Sequence, residues 1–117
     1  MLLKFNLVYY LIFFSFYSFA SHILIPMDSN YQKNHLKSYG IAYWVLSQNQ
    51  NIKWLLNYRG GAFLIPNSNE ITRECRLRGV SFEIISDLNA NEILTKINSP
   101  SQNMEAVVLE KAPKIAV

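Results

Sequence analysis

Residues 34–65, NHLKSYGIAYWVLSQNQNIKWLLNYRGGAFLI, decide the fold. The first half of this stretch repeats apolar residues at steps of three and four, which is typical of a helix. One predicted face comprises Leu36, Tyr39, Tyr43 and Leu46. Further apolar residues cover much of the remaining surface, so we expect this helix to be buried on most sides. Upstream, Ser29 and Gln32 have the spacing of a capping box and predict where the helix begins.

The second half predicts a β-hairpin. Residues 52–58 alternate loosely between apolar and polar, Gly60-Gly61 follows, and residues 62–65 form a second apolar run that ends at Pro66. Two extended runs separated by paired glycines favour a hairpin, because both glycines accept a positive φ. An alternative is a glycine loop whose amides bind an anion beside Arg59, although no complete phosphate-binding motif is present.

The first twenty residues have the pattern of a cleavable signal peptide. Lys4 is their only charged residue, residues 7–14 are continuously apolar, and Ser18-Phe19-Ala20 has the small–x–small form of a cleavage site. We therefore expect export to the periplasm or the medium. The alternative is an uncleaved membrane anchor.

Composition narrows the function classes. Removal of twenty residues from 117 leaves 97, enough for one small domain. Without Lys4, ten basic residues stand against eight acidic ones, which favours neither a nucleic acid nor a membrane surface as partner. Cys75 is the only cysteine, so an internal disulfide is excluded. We expect a buried, unreactive thiol, while a bond to another chain is the alternative.

The remaining chain alternates strands and helices. Residues 22–27 predict a first strand, and Asp28 follows it either as a turn residue or as a functional carboxylate. A helix is predicted over about residues 68–78, with Asn67 as N-cap and Gly79 as terminator. A strand over residues 80–86 then completes an αβ unit, which favours parallel pairing. Ser86-Asp87 caps a helix over residues 88–97, and residues 104–109 predict a last strand.

The fold class that we predict is α/β: a small two-layer or three-layer domain with a mixed sheet and about three helices. We expect a signal peptide at residues 1–20 and this domain at residues 21–110. Residues 111–117 contain the apolar run Lys114-Ile115-Ala116-Val117, which is typical of the first strand of a downstream α/β domain. The chain is therefore expected to be an N-terminal fragment that packs on that domain.

Five stretches carry a resemblance to a family. They are HILIPMD (22–28), KNHLKSYGIAYWVL (33–46), WLLNYRGGAFLIP (54–66), RGVSFEIISD (78–87) and LEKAPKIAV (109–117). Together they resemble the start of a family of large secreted bacterial proteins that carries the name asparagine synthetase B. The resemblance implies a continuation into an α/β domain of the class I amidotransferase-like kind.

The motifs of glutamine-hydrolysing asparagine synthetases do not map onto this chain. Those enzymes use a cysteine as their N-terminal residue, whereas signal cleavage here would expose Ser21. They also contain a Ser-Gly-Gly-x-Asp-Ser loop. The most similar stretch here, residues 59–63, lacks both serines and the Asp. We assign no catalytic residue, no metal ligand and no cofactor. The candidate binding residues, which lie at predicted strand ends and the glycine turn, are Asp28, Arg59, Gly60, Gly61 and Asp87. The predicted function is an accessory domain to a larger hydrolase- or amidotransferase-like domain, or alternatively a non-catalytic secreted binding module.

Overall fold

The computed structural model of the protein describes residues 20–99 and 105–110. The elements in these ranges are β1 (Ser21–Ile25), α1 (His35–Ser47), β2 (Ile52–Leu56), β3 (Ala62–Pro66), α2 (Asn69–Arg78), β4 (Glu83–Ser86), α3 (Asp87–Ile97) and β5 (Glu105–Leu109). The α/β class and the predicted order of strands and helices are confirmed. The signal peptide and the strand predicted within residues 111–117 lie outside the described residues.

The five strands form one sheet in the order β4-β1-β3-β2-β5, and all four pairings are antiparallel. The prediction of a mixed sheet with an adjacent parallel pair is wrong. β3 and β4 do run in the same direction, as an αβ unit requires, but β1 lies between them and pairs with both. β3 separates β1 from β2 in the same way. The first six elements therefore have the split β-α-β-β-α-β arrangement called ferredoxin-like.

Helices cover both faces of the sheet, so the domain has three layers. α1 and α2 pack on the face that carries Ile23, Ile25, Phe63 and Ile65. α3 packs on the opposite face, through Ala90 and Ile97 against Leu24, Leu55 and Leu64. Alternate residues of each strand enter opposite cores, as the pleat of a β-strand dictates. In the described part of the chain, no helix is long and apolar enough to cross a membrane.

Most of the predicted face of α1 is exposed, and only its last residue, Leu46, is buried. Leu36 is 85% exposed, and Tyr39 and Tyr43 are about half exposed. The buried side consists of Ser38, Ile41, Ala42, Val45 and Leu46. This helix carries apolar residues of its own on most sides, so hydrophobic periodicity alone did not identify the side that packs on the sheet. The side that packs on the sheet carries the smaller residues, which allow a close approach, and leaves the bulky aromatic residues outside.

The predicted capping box before α1 is also wrong. α1 begins at His35 with Asn34 at the N-cap position. Gln32 is only 1% exposed, and its side-chain amide donates to the carbonyl oxygens of Pro26 and Ser81, each at 2.9 Å. A buried amide must satisfy its hydrogen bonds. Gln32 does so by joining the loop before α1 to the segment before β4, a contact between residues 49 positions apart.

α2 has well-formed caps at both ends. The N-cap is Ser68 and not the predicted Asn67, since the Ser68 hydroxyl accepts hydrogen bonds from the amides of Glu70 and Ile71. The predicted terminator Gly79 is confirmed, with φ of 68°. Gly79 N donates to the Arg76 oxygen and Val80 N to the Cys75 oxygen, which is the Schellman arrangement. Ser86 caps α3 as predicted.

Candidate functional site

The structure brings three of the five predicted binding residues together at one end of the sheet. The β2–β3 turn folds against the end of β1, where the Met27 amide donates to the Arg59 oxygen at 3.0 Å. Gly60 presses against the same segment, and a Cβ on it would lie 2.7 Å from the Met27 carbonyl carbon. Asp28 is the next residue. Asp28, Arg59 and Gly60 thus meet because β1 and the hairpin turn end at the same edge of the sheet.

The charge of Arg59 is compensated within the domain. Its Nε lies 3.8 Å from Asp28 Oδ2, its Nη1 donates to Glu83, and its guanidinium lies 4.7 Å from the centre of the Tyr31 ring. Burial lowers the pKa of Arg59, but the hydrogen bond to Glu83 and the nearby carboxylates outweigh it, so the pKa is raised. These contacts fasten the turn to β1 and β4. Sequence reasoning missed Glu83, because only the pairing of β4 with β1 places it here.

Gly61 lies in the hairpin turn, but its polar groups are engaged inside the hairpin. Its amide donates to the Tyr58 oxygen at 3.0 Å, and its oxygen accepts from the Trp54 ring nitrogen, also at 3.0 Å. Asn57 and Arg59 adopt positive φ together with both glycines. The backbone contacts of this turn close the hairpin.

Asp87 lies at the opposite end of β1 from Asp28. It is the first residue of α3, and its Oδ1 lies 2.7 Å from Nδ1 of His22. This pair joins the start of β1 to α3 across 65 residues of sequence. His22 also lines a cleft of about 240 Å³ on the α3 face, together with Lys53 and Leu64. No pattern in the linear sequence indicated this cleft, since its lining comes from four strands.

A second surface feature lies on the opposite face of the sheet. Tyr39 packs edge-to-face on Phe63, which stacks on Trp54, with ring centres 5.9 Å apart in both cases. Trp54 in turn pairs with Val107 of β5, and both side chains are only partly buried. We call the surface made by Leu36, Tyr39, Tyr43, Trp54 and Val107 the aromatic face.

Cys75 is unsuited to nucleophilic chemistry. The thiol is fully buried between α2 and the sheet. Burial raises its pKa to about 11, well above neutral pH, so the reactive thiolate is not formed. Its role in the described part of the chain is that of a small apolar core residue, as the sequence predicted.

The described residues contain no group of three or more His, Cys, Asp or Glu side chains that could hold a metal ion. No protein-family model, curated protein or solved structure matches this chain. A ferredoxin-like topology hosts many unrelated functions, so the fold by itself assigns none.

Proposed function

We propose that residues 21–110 form an exported, non-catalytic docking domain of an asparagine synthetase B-like polypeptide. In this proposal, the domain packs against a larger α/β domain of hydrolase or amidotransferase type in the same polypeptide, and that domain carries the chemistry. The proposal rests on the signal-like residues 1–20, on the five stretches that resemble the family, and on the surface of α1.

The observation that carries the proposal is the aromatic face. Leu36, Tyr39 and Tyr43 lie three and four positions apart on α1 and are all exposed, with Leu36 at 85%. A row of exposed leucine and tyrosine side chains along one helix is typical of a surface that a partner covers. Tyrosine and tryptophan are also enriched among the few residues that carry most of the binding energy at protein interfaces.

The state of the polar residues supports a docking role over a catalytic one. Arg59 is compensated by Asp28 and Glu83, and its contacts hold the hairpin turn in place. The Cys75 thiol is buried and protonated. Both groups therefore stabilise the domain and are not available to a substrate.

Site-specific photo-cross-linking in the native exported polypeptide tests this proposal. A photoreactive phenylalanine analogue replaces Leu36 or Tyr43 on the aromatic face. The matched control replaces Leu88, an equally apolar residue that is 69% exposed on α3, on the other side of the sheet. We expect positions 36 and 43, but not position 88, to form adducts with peptides from the downstream domain, as identified by mass spectrometry.

Two other results would decide against an intramolecular partner. Adducts with a separate protein at positions 36 and 43 would favour the alternative function, a secreted binding module that uses the same face. Absence of adducts at both positions, or equal labelling at position 88, would overturn the docking role itself.

A further inference from the structure

The cleft on the α3 face lies where α3 leaves the sheet uncovered. α3 begins beside β4 and contacts β4, β1 and β5. None of the residues that line the cleft belongs to α3. The cleft there has a volume of about 240 Å³, and its lining includes His22, Asn51, Lys53, Leu64, Pro66 and Val108. The walls are largely apolar, and the polar groups come from His22, Asn51 and Lys53. This combination is typical of a ligand site.

Lys53 supplies a cation that has no ion-pair partner among the described residues. It pairs with Leu64 on one side and Val108 on the other, so its side chain shares the cleft face with both. Lys53 is half-buried, and none of the ion pairs among residues 20–99 and 105–110 involves it. Arg59, by contrast, has two carboxylate partners. An ammonium group beside apolar walls attracts an anion more strongly than one in open water does.

His22 supplies a ring that is held in a fixed orientation. Its Nδ1 is engaged by Asp87 at 2.7 Å, which leaves Nε2 as the nitrogen that can bind a ligand. The backbone of His22 belongs to β1, which is paired on both sides, and Asp87 is held in the first turn of α3. The imidazole therefore lies on rigid elements at the opposite side of the cleft from β5.

We propose that this cleft binds a small aliphatic monocarboxylate, with Lys53 as the counter-ion and His22 as a second polar contact. The Lys53 ammonium group, which has no ion-pair partner among the described residues, would bind one carboxylate. The side chains of Leu64, Pro66 and Val108 would contact the hydrocarbon part of the ligand. The volume is below the range of about 300–1,000 Å³ found for drug-sized ligands, so a chain of a few carbons fits. This binding site is independent of the proposed docking function, since it lies on the other face of the sheet.

The test is an NMR titration of the ¹⁵N-labelled chain with hexanoate, and in parallel with hexan-1-ol as its uncharged counterpart. We expect saturable amide shifts centred on His22, Lys53 and Val108, with a dissociation constant of about 0.1–1 mM. Lys53→Met should weaken hexanoate binding about tenfold and leave hexanol binding unchanged. His22→Gln should weaken hexanoate binding to a smaller extent.

The matched control is Lys96→Met, which removes an exposed lysine in the last turn of α3 and should not change hexanoate binding. A dispersed amide spectrum in each variant verifies that it is folded. Failure of wild-type shifts to saturate by about 10 mM hexanoate would overturn the proposal. Equal affinity of wild type and Lys53→Met would also overturn it, because the ammonium group would then play no part. Either result would leave the proposed docking role of the aromatic face unaffected, because that face is on the other side of the sheet.

Discussion

At the scale of single residues, Gly60 marks a close approach between the hairpin turn and the segment that follows β1. Its φ is 76°, and an added Cβ would lie 2.7–2.9 Å from the backbone of Met27 and Asp28. Any side chain there adds conformational strain to a clash with rigid backbone atoms. The sequence predicted a turn here from the paired glycines. It did not predict this contact, since nothing local shows which strand end lies beside the turn.

We expect Gly60→Ala to lower the free energy of unfolding by about 2–4 kcal/mol, as measured by urea denaturation. The matched control is Gly40→Ala inside α1, where an added Cβ would lie 3.7 Å from the end of the Arg78 side chain. That change should raise stability by about 0.5–1 kcal/mol, because alanine favours helix. A Gly60→Ala protein as stable as wild type would refute the close approach.

At the scale of elements, the sequence predicted the number and type of helices better than their exact caps and faces. For α2, Asn67 and Ser68 are adjacent capping residues, and the choice between them depends on which has the extended backbone of an N-cap. The backbone N–H of Asn67 donates instead to the Ser21 carbonyl oxygen on β1. For α1, the buried side was set by packing against the sheet, which the apolar pattern does not contain.

Replacing the α2 cap separates the two capping candidates. Ser68→Ala should destabilise the protein by about 1 kcal/mol, because the amides of Glu70 and Ile71 lose their acceptor. Asn67→Ala removes only an exposed hydrogen bond to the Ser21 hydroxyl and should cost less. Thermal unfolding of both variants gives the comparison, and a larger loss for Asn67→Ala would contradict the cap at Ser68.

At the scale of the whole molecule, the order of elements could be predicted but the order of strands could not. Helix-linked strands such as β3 and β4 were expected to be neighbours, whereas β1 lies between them. Hydrophobic periodicity identifies a strand and its buried face. Which strands pair with each other depends on how the five strands pack against the helices on both faces of the sheet. The candidate site could not be predicted for the same reason, since Asp28, Arg59 and Glu83 come together only because β1 pairs with β3 and β4.

Hydrogen exchange should follow this arrangement. Ile23, Ile25 and Ile65 lie on strands that are paired on both sides and are fully buried. Their amides should exchange at least about tenfold more slowly than those of the edge strands β4 and β5. The comparison uses amide exchange followed by NMR in the wild-type chain. Protection in β5 equal to that in β3 would mean that another segment or molecule covers this edge.

The interior position of β1, between β4 and β3, also has a consequence in time. Ile23 pairs with Ile65 and with Ile84, so the strand that the ribosome makes early waits for partners that are 42 and 61 residues further along. Contacts of such long range form slowly. Until Ser86 has been synthesised, β1 has no complete sheet to enter. For a chain that we propose to be exported, we expect slow closure of this sheet to lengthen the time in which the polypeptide is still unfolded and can enter a membrane channel.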